Sequence, residues 1–158
     1  MMEFLFSGKG RVSRKGIWLF FIAYWLIHGA AHLADHQLGW THRLDDAGPL
    51  MTIVTIAAIW PMIAVEAKRF HDRGMSGWWV LWFILLTLIP LCVFFFMHAE
   101  QFMALEEKGA AFEPSMISPA GYALLAVAFL IQLMQFVILL FLPGQSGENR
   151  YGPNPVGR

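Results

Sequence analysis

Residues 77–97 read GWWVLWFILLTLIPLCVFFFM, an unbroken run without a charged side chain. As an α-helix rising about 1.5 Å per residue it would be about 30 Å long, the thickness of a bilayer's hydrocarbon core. Three runs of similar length and character lie around it, at 16–34, 49–65 and 120–142. Each is near the roughly 20 residues that a membrane-crossing helix needs. The pattern predicts an all-α integral membrane protein, a four-helix bundle forming a single membrane domain over residues 1–158.

Composition points the same way. Of the 158 residues 58% are apolar and 14% charged, and the mean hydropathy is +0.55, outside the balance of a soluble domain. A water-soluble fold of this size could not bury so much apolar surface, and the connecting segments are too short for a separate soluble domain. The net charge is zero, but its distribution is uneven. Lys9, Arg11, Arg14 and Lys15 precede the first run, Lys68, Arg69 and Arg73 separate the second from the third, and Arg150 and Arg158 follow the fourth. That places nine of the eleven basic residues on one side. The other two loops carry Arg43 and Lys108 with seven of the eleven acids: Asp35, Asp45, Asp46, Glu100, Glu106, Glu107 and Glu113. Cytoplasmic loops retain lysine and arginine, so both termini are expected to be cytoplasmic.

The first run is too long for a signal peptide's apolar core and lacks a small-residue cleavage site, so it reads as an uncleaved helix. The single cysteine, Cys92, lies inside the third run and has no intrachain partner. Helix ends are legible in the local chemistry. Ser13 is placed to cap the first helix, although Arg14 and Lys15 then sit at the positive end of its dipole, a cost that a partner must offset. The second helix is expected to start after Asp46 with Pro49 in its first turn and to stop near Arg73, where Gly74 permits a left-handed residue. Ser76 and Ser118 suit the N-caps of the third and fourth helices, the latter followed by Pro119 at the first helical position, and Ala99 onward can prolong the third helix to Lys108.

Pro61 and Pro90 each remove a backbone donor within a run and are expected to kink their helices. Gln132 and Gln135 share a face of the fourth helix, where lipid contact would be costly. They are expected to face another helix, either in interhelical hydrogen bonds or along a polar path.

The densest polar constellation is Glu66 to Trp79. Its ordinary reading is a turn on the positive side of the membrane, with a helix-ending glycine, a capping serine and interfacial tryptophans at Trp78 and Trp79. Its functional alternative is an anion site, in which the guanidinium forks of Arg69 and Arg73 grip a phospholipid headgroup, joined by Arg11 and Arg14 and closed by Asn149, Arg150 and Tyr151. His71 and Asp72, as sequence neighbours, do not share a helix face, which argues against a catalytic dyad. On the opposite side His28, His32 and His36 follow at intervals of four, with Asp35, His42 and His98 at similar depth. Such spacing suits a metal only in pairs, since the three span about 12 Å of helix rise. No metal or other cofactor is expected. No P-loop, G-x-S-x-G or dinucleotide fingerprint occurs, no span holds an acidic pair, and the few basic residues do not suggest nucleic acid. An enzyme is therefore not expected.

Three segments together resemble the bacterial inner-membrane family known as domain of unknown function 805. Phe6-Ser7-Gly8-Lys9-Gly10-Arg11-Val12-Ser13-Arg14-Lys15-Gly16-Ile17-Trp18 is similar to the family's F-x-G-R-x-S-R-x-x-[FY]-W block, with Ile17 in place of the aromatic. Arg69-Phe70-His71-Asp72-Arg73-Gly74-Met75-Ser76-Gly77-Trp78-Trp79 resembles its R-[LF]-H-D-x-x-x-S-G-W-W hallmark, and Gly144, Gly147, Asn149, Arg150, Tyr151, Gly152, Pro153 and Pro155 its C-terminal block. The resemblance implies a small multi-pass protein of the bacterial inner membrane and brings no activity with it. Since all three blocks lie on the side read as cytoplasmic, Arg11, Ser13, Arg14, Arg69, His71, Asp72, Arg73, Ser76, Trp78, Trp79, Asn149, Arg150 and Tyr151 are expected to gather there. The leading expectation is a non-enzymatic structural or regulatory membrane component whose partners are lipids with anionic headgroups, another copy or another membrane protein. Its alternatives are an oligomeric transporter or channel subunit, lined by Pro61, Pro90, Gln132 and Gln135, and a metal-dependent membrane enzyme.

Overall fold

A computed structural model describes residues 5–41, 46–108 and 113–156. It contains four long helices, α1 (Arg14–Gln37), α2 (Pro49–Asp72), α3 (Trp79–Lys108) and α4 (Pro119–Leu140), with a short 3-10 turn at Pro114–Met116 before the last. All four are long and apolar enough to cross a membrane. The described residues contain no strand, only an isolated bridge between Asn149 and Gly152. The chain is all-helical, as its hydropathy pattern predicts.

Two compact units are present. The first holds Met1–Trp79 with Leu139–Arg158, the second Val80–Ile138. In the first, α1 packs on α2, and the segment ahead of α1 lies along α2, fixed by bonds from the Trp60 indole N–H to the Phe6 carbonyl at 2.9 Å and from Val12 N–H to the Lys68 carbonyl at 3.2 Å.

Helix ends follow local chemistry closely. Ser13 caps α1, its hydroxyl accepting the Gly16 N–H at 3.1 Å. α2 ends in a Schellman arrangement: Met75 N–H reaches the Phe70 carbonyl, Gly74 N–H reaches His71, and Gly74 takes φ +73°. Ser118 caps α4 through the Gly121 N–H at 3.1 Å. Ser76 does something different from the cap expected of it, since its hydroxyl accepts the N–H of Trp78, two residues on, in a turn just ahead of α3. Both α2 and α3 continue through their prolines, Pro61 and Pro90.

The start of α2 is capped from elsewhere in the chain. Its N-cap is Gly48, which has no side chain to offer. Asp35, fully buried near the end of α1, fills the role: one carboxylate oxygen accepts Leu50 N–H at 3.0 Å and the other Met51 N–H at 2.8 Å. A negative charge on two orphan donors at the positive end of the helix dipole is favourable on both counts.

In the second unit the buried His98 ties α3 to the start of α4. Its Nε2 accepts the Ser118 N–H at 3.2 Å and its Nδ1 donates to the Phe94 carbonyl at 2.9 Å, so two obligatory backbone partners fix the ring's tautomer.

Candidate functional site

The last turn of α2 carries the chemistry. Arg69 is wholly buried and Asp72 nearly so, and charges rarely occupy such positions unless paired and hydrogen-bonded. Three residues apart on a helix they share a face, and Arg69 Nη1 donates to Asp72 Oδ2. Asp72 thus takes Arg69 as a partner on its own helix. Its other oxygen, Oδ1, accepts from Arg11 Nε at 3.0 Å and forms an ion pair with Arg11 Nη2 at 2.9 Å. One carboxylate is thus clasped between two guanidiniums.

The arginines reach outward from that centre to main-chain carbonyls. Arg11, its side chain 1% exposed, donates to the carbonyls of Gly147 at 2.6 Å, Gln145 at 2.6 Å and Gly152 at 3.2 Å. Arg69 donates through Nε to the Leu139 carbonyl at 2.7 Å and through Nη2 to that of Leu142 at 2.6 Å. Arg14 adds a bond to Phe141 at 3.3 Å and Arg73 one to Pro143 at 3.2 Å. The last turn of α4 and the residues after it leave carbonyls without helical partners, and four arginines meet them. Cations at the negative end of a helix dipole are favourable. Arg14, badly placed for its own helix, is well placed for the end of α4.

Two further contacts close the assembly. The Gln145 N–H donates to the Asp72 carbonyl at 2.7 Å, and Gly144 lies so close that a Cβ there would collide with the Asp72 carboxylate. His71 points away from Asp72: its Nδ1 donates to the Gly10 carbonyl at 3.1 Å, and its ring stacks on Tyr151 with centroids 3.8 Å apart and planes within 7°. Asn149 donates to the His71 carbonyl at 3.0 Å, and the Arg150 guanidinium lies 4.7 Å over the Tyr151 ring.

The structure therefore brings together Arg11, Ser13, Arg14, Arg69, His71, Asp72, Arg73, Asn149, Arg150 and Tyr151 in the first unit. Trp78 is largely exposed and Trp79 partly so. Along α4 the two glutamines part company, Gln135 buried and Gln132 exposed. His28 rests against Tyr24 and Trp25, His36 is exposed, and His32 keeps a buried Nδ1 without a partner. His42 lies outside the described residues. Among those described, no three His, Cys, Asp or Glu side chains converge on one point. Sequence reasoning missed Gln145, whose backbone bridges Asp72 and Arg11, and the capping roles of Asp35 and His98. Gly144 and Gly147 in the tail were the available signal for the first.

Comparison with known proteins identifies the family. A family model described as protein of unknown function (DUF805) matches residues 5–153. The inner membrane protein YhaH of Escherichia coli strain K12 is 36% identical over 77 residues, 49% of this chain and 63% of YhaH, so the match spans less than two thirds of that relative. The uncharacterized protein YiiR of the same strain is 30% identical over 152 residues, 96% of this chain and 88% of YiiR. No solved structure matches.

Proposed function

This chain belongs to the DUF805 family, and from that premise we propose that it is a non-enzymatic, multi-pass component of the inner membrane whose arginine–aspartate clasp locks one membrane-surface knob. In this reading the N-terminal segment, the turn after α2 and the C-terminal tail lie together on the cytoplasmic face. The distribution of lysine and arginine favours that face. Contact among Arg11, Asp72 and Gln145 supports a common side for all three segments.

One observation carries the structural role. Both Asp72 oxygens are occupied from within the protein, and the donors of Arg11 and Arg69 are spent on Asp72 and main-chain carbonyls. Such a centre is built to hold segments in place, since an incoming ligand would have to displace bonds already satisfied. Removing one partner of a buried charge cluster typically costs about 3–5 kcal/mol. Asp72→Ala is therefore expected to lower the amount of folded protein in membranes and to expose the tail to protease in inside-out vesicles. Unchanged abundance together with a tail still protected would refute the lock.

A further inference from the structure

Beside the clasp lies a cavity of about 210 Å³ whose lining includes Ser13, Arg14, Arg69, Asp72, Ser146 and Val156. It is smaller than the roughly 300–1,000 Å³ of sites that enclose a drug-sized molecule. A compact charged group suits it better than a whole lipid.

Its electrostatics favour an anion. Asp72 is the only acid lining it among the described residues, and both of its oxygens are taken by Arg11 and Arg69. Two arginines against one aspartate leave the clasp with one net positive charge, and Arg14 adds another. Arg14 is exposed, and its bond to the Phe141 carbonyl uses Nη1 alone, leaving Nε and Nη2 without a partner among the described residues. A planar guanidinium with an open edge is suited to grip phosphate oxygens in pairs. The Ser13 hydroxyl, which accepts the Gly16 N–H, keeps its own proton to donate, and Ser146 also lines the cavity.

Location narrows the source of the phosphate. The cavity borders the first turn of α1 and the residues just after α4, the ends of two helices fit to cross a membrane. In a chain whose helices cross the bilayer, such ends lie at the depth of lipid headgroups.

We propose that this cavity binds a phosphate group, with Arg14 as its principal ligand and the headgroup of an anionic phospholipid as its source. The inference rests on the knob being a preformed lock at the membrane surface. The lock holds Ser13 and the tail around the cavity, and the phosphate bridges them to the bilayer.

The test uses the full-length protein in a neutral detergent, read by native mass spectrometry with phosphatidylglycerol, diacylglycerol and inorganic phosphate as probes. Phosphatidylglycerol is expected to remain bound where diacylglycerol does not, and Arg14→Gln to weaken that binding about tenfold, the scale of a charged hydrogen bond, while Arg14→Lys retains part of it. Val156→Trp, at an exposed position that lines the cavity, is expected to block the cavity with Arg14 intact. Inorganic phosphate that binds in an Arg14-dependent way and displaces the lipid would support the phosphate site and overturn the lipid as its source. Equal binding of phosphatidylglycerol and diacylglycerol, or binding indifferent to both variants while their melting temperatures match the parent, would overturn the proposal. Such a failure would leave the effect of Asp72→Ala on membrane abundance standing, so the lock and the site can fail separately.

Discussion

Around Asp72 three chain segments far apart in sequence meet at one residue. Its oxygens fix the directions of Arg11 and Arg69, and its own backbone carbonyl receives the Gln145 N–H. Little space remains on the tail side, because Gly144 runs directly against the carboxylate. Gly144→Ala is accordingly expected to force the tail away and destabilise the protein by about 1–3 kcal/mol, the usual cost of overpacking, measured as a lower melting temperature of the purified protein. A melting temperature equal to the parent's would show that the tail yields without cost. At this scale the sequence is informative about side chains and silent about the main chain. Arg69 and Asp72 stand three apart on a helix, so their pairing is legible. The carbonyls of Leu139, Leu142, Gln145 and Gly147 carry no such mark, since every residue has one and only the fold selects which are left without a partner.

Among the elements, the two serine caps and the end of α2 show local rules operating undisturbed. Ser13 and Ser118 each accept an N–H three residues on, and Gly74 supplies the positive φ that the end of α2 requires. These are short-range interactions, which is why the residues alone announce them. The start of α2 differs. Gly48 provides no cap, and Asp35 does so from 15 residues away by reaching out of α1. Asp35→Ala removes an acceptor from two part-buried N–H groups and is expected to cost about 1–2 kcal/mol. Thermal unfolding of the variant should show the loss, and Asp35→Asn should recover part of it by keeping an oxygen in place. If the alanine variant unfolds with the parent, the cap contributes nothing to holding α1 against α2. The same logic separates the histidines. His28, His32 and His36 looked like a group by their spacing, while among the described residues His98, alone in sequence, is the histidine held by backbone partners on both ring nitrogens.

For the molecule as a whole, the proposed placement of both termini in the cytoplasm makes a simple forecast. A fluorescent protein fused after Arg158 should fluoresce and alkaline phosphatase at the same position should be inactive, and the reverse pair of results would remove the cytoplasmic assignment of the knob. By itself the sequence determined that the chain forms four apolar helices of membrane-crossing length and where most of them begin and end, because hydropathy and capping act over one helix or one turn. It also brought forward Arg11, Arg69, Asp72 and Asn149 as residues that belong together. Only the tertiary structure decided how they are joined. A buried carboxylate takes whichever donors the fold delivers, and here those come from segments 61 residues apart for Arg11 and 3 apart for Arg69. Which arginines are spent on carbonyls and which, like Arg14, keep an open edge depends on where the end of α4 comes to rest, and no local pattern encodes that distance.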